Sequence, residues 1–178
     1  MKSFTTPKLI ISRCLGFENC RYDGGIISDS FIDKLSAYVK FVTVCPEMEI
    51  GLGVPRDPVR LVIKKNRKHL FQPATGLDLT EQMEQFTGDY LNNLEEMDGF
   101  IMKHKSPSCG LGNVKIFSGF EGKNQHSRGP GFFGNALMKQ YANMPVEDEG
   151  RLRNYSIREH FLTRIFTLAA FRELKKNP

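Results

Sequence analysis

Cysteine is sparse in this 178-residue sequence: only Cys14, Cys20, Cys45 and Cys109 are present, too few and too scattered for a disulfide scaffold. A chain of this length buries on the order of 70% of its unfolded surface and folds without such staples. The opening residues, Met1 to Thr6, lack the apolar stretch of roughly 7–15 residues that a secretory signal needs. No run approaches the ~18 consecutive apolar residues of a membrane span, so no membrane partner is expected. The expected compartment is therefore the cytoplasm, where thiols stay reduced and serve as metal ligands, catalysts or inert core residues. There is no CxxC pair, which removes the strong zinc-ribbon signature, and no cysteine sits in a local histidine motif. Charge of one sign is also scarce, since 25 basic and 20 acidic residues leave +5. The densest basic stretch, Lys64, Lys65, Arg67 and Lys68, reads as a solvated hairpin edge and gives no strong nucleic-acid signal.

What is present is a core. The 40% hydrophobic content and 14 phenylalanines exclude disorder, and the length fits one domain over residues 1–178. Lys8–Ser12 and Phe41–Val44 are short apolar runs of strand type, as are Val59–Ile63, Phe100–Met102 and Val114–Phe117. Between the first two, Asp29 caps a helix whose stripe is Phe31, Ile32, Leu35, Tyr38 and Val39. A second helix spans about Thr80 to Met97, with capping-box spacing from Asp78 to Glu81. A last helix, 156–176, opens on Ser156 with Glu159 three residues on, and buries Ile157, Phe161, Leu162, Ile165, Leu168 and Ala169. Residues 119–134 are glycine-rich and expected to form a mobile loop. Strands alternating with helices predict an α/β fold: one open, mostly parallel sheet, Rossmann-like or flavodoxin-like, with helices on both faces.

On this assignment Cys14, Cys45 and Cys109 all follow strands. The carboxyl ends of parallel strands share one edge of a sheet, so residues far apart in sequence can meet there. Each of the three also sits beside proline or glycine. Taken singly, each cysteine is equally a small buried hydrophobe. Taken together they admit a structural zinc site completed by Cys20, His104 or His126, an iron–sulfur cluster, or a catalytic cysteine with a resolving partner.

Four ordered motifs narrow this. Cys14-Leu15-Gly16 with Arg21-Tyr22-Asp23-Gly24, Val44-Cys45-Pro46-Glu47, Gly51-Leu52-Gly53-Val54-Pro55-Arg56 and Lys105-Ser106-Pro107-Ser108-Cys109-Gly110 occur in that order. The sequence resembles, over roughly residues 8 to 145, the family of small bacterial proteins of the domain-of-unknown-function class that includes 2-thiouracil desulfidase. Pro145 to Leu152 and the helix beyond resemble the longer members, in which a second domain follows; the chain ending at Pro178 is then a stand-alone version or a fragment.

The resemblance implies a [4Fe–4S] cluster held by Cys14, Cys45 and Cys109, with one iron lacking a protein ligand and open to the sulfur of a small thiolated nucleobase or nucleoside. It implies an acid/base role for Glu47 and a supporting role for Ser106, with Ser108 second. It supplies no ligand role for Cys20. The implied reaction is hydrolytic, C=S to C=O with release of sulfide. The alternative is a non-catalytic domain that holds a cluster or zinc for structure or sensing. Arg56 and Arg60, flanking Asp57-Pro58, are expected to form an internal Arg–Asp pair, and Arg21 with Asp23 to shape their loop. His104 is expected to be a strand residue. Gly129 to Gly134 matches GxGxxG, but no strand is expected before it, and the acidic residue some 20 positions on falls in the Val146–Asp148 turn, so dinucleotide binding is set aside.

Overall fold

A computed structural model describes residues 4–122 and 124–176; Met1 to Ser3, Lys123 within the glycine-rich segment, and Asn177 and Pro178 lie outside them. The first apolar run is β1 (Lys8–Ser12), and α1 (Ser30–Leu35) follows it. Asp29 accepts hydrogen bonds from the amides of Phe31 and Ile32 at 2.9 and 3.2 Å, as its capping position predicted. The helix stops at Leu35, so Tyr38 leaves the expected stripe and is exposed. Then come β2 (Lys40–Val44) and one turn of helix, α2 (Pro46–Glu49). Next are the hairpin β3 (Arg60–Lys64) and β4 (Arg67–Gln72), the short β5 (Leu77–Asp78) and α3 (Thr80–Asn92). The rest of the chain gives β6 (Gly99–Met102), β7 (Val114–Ser118), β8 (Gln125–Gly129), α4 (Phe132–Gln140), β9 (Val146–Asp148) and α5 (Tyr155–Lys176).

The α/β class is as expected, but the strands form two sheets. One is a four-stranded parallel sheet, β2-β1-β6-β9. The other is five-stranded and mixed, β5-β4-β3-β7-β8, with only β3 and β7 parallel. In the parallel sheet alternate residues face opposite ways. Leu9, Ile11 and Ile101 pack with Ile32 and Leu35 of α1 and Phe161 and Ile165 of α5. Ile10, Val44, Phe100 and Met102 pack with Leu91 of α3 and Phe133 and Leu137 of α4. Helices therefore cover both faces, and α3 reaches the second sheet too, through Met83 against Leu61, Leu70 and Ile116.

Three expectations need correcting. Within residues 119–134, Gln125–Gly129 and the residues from Phe132 on are not loop: β8 pairs antiparallel with β7, and α4 starts at Phe132. Its polar sequence, Gln-His-Ser-Arg-Gly, belongs to a sheet edge and carries little apolar alternation, which hid it. The cap of α5 is Asn154, whose Oδ1 accepts the Ile157 amide at 3.2 Å, so the helix begins one residue before Ser156. Both premises for dismissing the GxGxxG motif also fail, because β8 precedes it and Val146–Asp148 is a strand. Yet β8 and β9 lie in different sheets, so no βαβ unit forms in one sheet. The amides that would cradle a phosphate are spent on the cysteine loop: Gly131 N, Phe132 N and Gly134 N donate to the carbonyls of Gly110, Pro107 and Ser108. A Cβ on Gly131 would lie 2.4 Å from Ser108 O, and one on Gly134 2.4 Å from Gly110 O. The glycines permit this close backbone approach.

Candidate functional site

Loops at the carboxyl edge of the parallel sheet, together with the segment leading into β3, enclose a cavity of about 360 Å³ lined by Cys14, Cys20, Cys45 and Cys109. Cys45 immediately follows β2, Cys14 lies two residues past β1, and Cys109 is in the loop after β6. Because β1 sits between β2 and β6, the three arrive from adjacent strands. Cys20 joins them, contrary to the expectation that set it apart: the turn after β1 folds back so that the Cys45 thiol lies 3.9 Å from the Cys20 carbonyl oxygen. All four are free thiols.

Burial dominates the acidity of Cys14, Cys20 and Cys109. The Cys14 thiol is pushed up to about 11 by burial and by Cys45, against the pull of Lys103 and Arg21. Cys20 is pushed up to about 12 by burial, Cys45 and Cys14. Burial also holds Cys109 well above the usual thiol range, with Cys45, Cys14 and Glu47 adding to it and a hydrogen bond with Ser12 opposing it. Thiols crowded in this way stay protonated unless a cation neutralises them, and a bound metal does so by displacing their protons.

The carboxylate beside the thiols is built with equal care. Cys45 is extended and Pro46 takes the first helical position of α2, a favoured place for a residue without an N–H. This turn carries Glu47 into the cavity wall with its side chain 12% exposed. Arg56, 7% exposed, donates Nε–H and Nη2–H to Glu47 Oε2 at 3.1 and 2.8 Å, and Nη1–H to the Cys20 and Gly53 carbonyls, each at 3.1 Å. The expected Arg56–Asp57 pair is absent among the described residues, and Arg60 instead donates to the Phe120 carbonyl and lies over the Phe117 ring. Ser108 Oγ donates to Glu47 Oε1 at 2.9 Å. Ser106 Oγ accepts the amides of Ser108 and Cys109 at 3.2 and 3.0 Å, so it shapes the cysteine loop and touches Glu47 only through its neighbour. Arg21 is paired with Asp23, as expected of loop architecture.

Sequence reasoning missed the far wall. His104 is not a strand residue; it lies past the end of β6 and lines the cavity. Its Nδ1 is 3.1 Å from Asp148 Oδ2 at the end of β9. Asp148 and Glu149 carried no local signal, because sheet pairing alone brings β9 alongside β6.

The basic stretch at the β3–β4 hairpin is largely engaged in structure. Arg67 pairs with Glu84, Lys68 donates to the Pro130 carbonyl, and Lys64 lies over the Phe120 ring. No helix among the described residues is long and apolar enough to cross a membrane.

Comparison with known proteins identifies relatives of the chain. Residues 9–149 match the family described as 2-thiouracil desulfurase. The uncharacterized protein YbbK of Bacillus subtilis (strain 168) is 33% identical over 154 residues, spanning 82% of this chain and 98% of that protein. The solved structure of the [4Fe-4S]-dependent thiouracil desulfidase TudS superposes with a TM-score of 0.64 at 27% identity, over 87% of this chain and 99% of that one.

Proposed function

The chain belongs to the 2-thiouracil desulfurase family, and from that premise we propose that it hydrolyses a thiolated nucleobase or nucleoside, C=S to C=O, using a [4Fe–4S] cluster held by Cys14, Cys45 and Cys109. The observation that carries this reading is the convergence of those free thiols from three adjacent strand ends on one cavity whose wall also holds the buried Glu47.

The donor set fits the cluster. Thiolates are the ligands of iron–sulfur centres, and free cysteines gathered on one cavity supply sulfur donors of that kind. No three of the His, Cys, Asp and Glu residues among those described converge tightly enough for a single metal ion. A lone zinc needs its sulfurs at about 2.3 Å from one point, whereas a cubane spreads its thiolates over several irons. The all-cysteine donor set supports the cluster reading over a structural zinc site. The four free cysteines fit a reducing compartment, the cytoplasm.

When bound, the cluster supplies a soft Lewis acid for the thione sulfur, at the iron that three protein ligands leave uncapped. The chain's own residues do the rest. Glu47 takes a proton from the attacking water and returns it to the departing sulfur; such transfer is typically worth ~10²–10⁴ in rate. Oε2 accepts two N–H groups of Arg56 and Oε1 accepts Ser108, which fixes the carboxylate and leaves one lone pair, on Oε1, for the water. Ser106 accepts two amides, so its own hydroxyl hydrogen remains to be donated into the cavity it lines. The water oxygen bonds to the carbon, the C–S bond breaks, both water protons leave with the sulfide, and no net electrons are transferred.

The test is anaerobic reconstitution with iron and sulfide, followed by incubation with 2-thiouracil and thiouridines. The expected result is equal amounts of sulfide and of the oxygenated base, with iron binding lost in Cys14→Ser, Cys45→Ser and Cys109→Ser and kept in Cys20→Ser. A protein that binds no iron anaerobically, or releases no sulfide when loaded, overturns the proposal.

A further inference from the structure

The side-chain acceptors around the cavity are almost all committed. Glu47 is held by Arg56 and Ser108, Ser106 Oγ by two amides, and Ser12 Oγ by the Lys103 amide at 2.8 Å. Two further side-chain oxygen or nitrogen acceptors on the lining have no hydrogen-bond partner among the described residues: the hydroxyl of Tyr22, a residue 43% exposed, and Nε2 of the more enclosed His104.

Its ring is gripped from one side. The Nδ1 faces Asp148 Oδ2, and Gly150 packs beside the Cγ–Cδ2 bond, where a Cβ would come within 3.3 and 3.5 Å, so residues 148–150 fix the ring's orientation. The backbone is fixed as well: His104 N donates to Glu149 Oε2 at 2.6 Å, and Lys103 Nζ bridges Glu149 Oε1 and the His104 carbonyl. Asp148 is itself anchored, with Oδ1 accepting the Arg151 amide at 2.8 Å and its side chain 4% exposed. A carboxylate only accepts, so the neutral imidazole carries its proton on Nδ1 and offers a lone pair at Nε2. Among the described residues Nε2 has no hydrogen-bond partner, and the side chain, 29% exposed, lines the cavity. His104 follows β6 and Glu47 follows β2, on opposite sides of the β1 strand that delivers Cys14.

The C2 thione carbon of 2-thiouracil is flanked by the ring nitrogens N1 and N3, and both carry hydrogen. Resting on the desulfidase reading above, we infer that His104 Nε2 accepts a hydrogen bond from a ring N–H beside the thione carbon and so selects substrates that keep that hydrogen. Asp148 is the positioning residue that fixes the tautomer. A site built to pair with a substrate N–H discriminates strongly against an analogue lacking it, because the site's own group is left unpaired.

The test compares kcat/KM for sulfide release from 2-thiouracil with that from its N1-methyl and N3-methyl derivatives, using reconstituted protein of measured iron content. One of the methylated compounds is expected to be about tenfold to a hundredfold poorer for the natural sequence. His104→Ala raises KM for 2-thiouracil by a similar factor and abolishes the discrimination. Asp148→Asn acts likewise, because an amide N–H facing Nδ1 drives the imidazole proton to Nε2. A second readout needs no cluster: long-range ¹H–¹⁵N spectra of the apoprotein show His104 protonated at Nδ1, and at Nε2 in Asp148→Asn. Discrimination retained by His104→Ala, or Nε2–H in the natural protein, overturns the inference. So does loss of iron in both His104→Ala and His104→Asn, which makes the residue a support of the cysteine loops. A loaded natural protein that releases no sulfide from any thiolated pyrimidine refutes the desulfidase reading, and the inference falls with it.

Discussion

Arg56 grips one oxygen of Glu47 while Ser108 occupies the other, and the same guanidinium reaches the carbonyl of Cys20. One side chain thus joins the loop after β1 to the helical turn after β2. Removing it leaves a nearly buried carboxylate unpaired, which costs about 3–5 kcal/mol. Arg56→Ala is expected to lower the urea midpoint by a corresponding amount and to depress sulfide release. Arg56→Lys recovers only part of both, because an ammonium cannot make the same fork of contacts.

The two serines of the Ser-Pro-Ser-Cys turn separate by what each one loses. Ser108→Ala frees Glu47 Oε1 and leaves the loop intact, so iron content holds while kcat falls. Ser106→Ala removes the acceptor of two amides, one of them that of Cys109, so iron occupancy falls along with activity. Iron analysis beside steady-state rates checks both outcomes.

Gly131→Ala forces a methyl group to within 2.4 Å of the Ser108 carbonyl. The backbone must yield, at about 1–3 kcal/mol, the usual cost of overpacking. The expected signature is lowered stability together with reduced iron retention, since the segment pushed aside carries Cys109. Thermal unfolding and iron analysis of the variant test it.

Far from the cavity, Asp98 and Arg172 are paired at 2.9 Å and almost wholly buried. Asp98 also accepts the Lys8 amide at 2.7 Å and Arg172 donates to the Thr6 carbonyl at 3.1 Å, so the pair fastens α5 to the entrance of β1. Arg172→Ala is expected to cost about 3–5 kcal/mol. The double change to leucines at both positions costs less than the sum, because replacing both charges removes the unpaired one. A denaturation cycle over the four proteins measures that difference.

Asp78 gives a dependence on pH. Thr80 and His69 hydrogen-bond to its carboxylate and hold its pKa below the usual value, outweighing a burial effect that acts the other way. A depressed folded-state pKa means stability that is present above the unfolded-state value, near 4, and lost as pH falls through the lower folded one. Asp78→Ala is expected to cost about 1 kcal/mol, the usual net worth of a hydrogen-bonding side chain, at neutral pH and to flatten the acid side of the stability profile. Urea titrations from pH 2 to 7 read both effects.

The parallel sheet was legible because β1, β2 and β6 are continuous apolar runs, and their order placed three cysteines on one edge. The second sheet was not: β8 is polar, and the β3–β7 pairing joins distant segments with no signal in either. Asp29 could be read as a cap because its bonds are local. The partners of Glu47 could not, since Arg56 and Ser108 reach it across loops whose paths depend on the whole fold. Cys20 was set apart because sequence alone does not show the turn after β1 curling back over Cys45. His104 and Asp148 meet only because β9 is the last strand added to the sheet.

That last point bears on how the protein is made. Cys14, Cys45 and Cys109 come from segments far apart along the chain, and the strand that steadies the loop after β6 is made later than all three. A group held jointly by those thiols can be gripped by all three only after synthesis has passed Cys109, when β1, β2 and β6 of the parallel sheet have already been made.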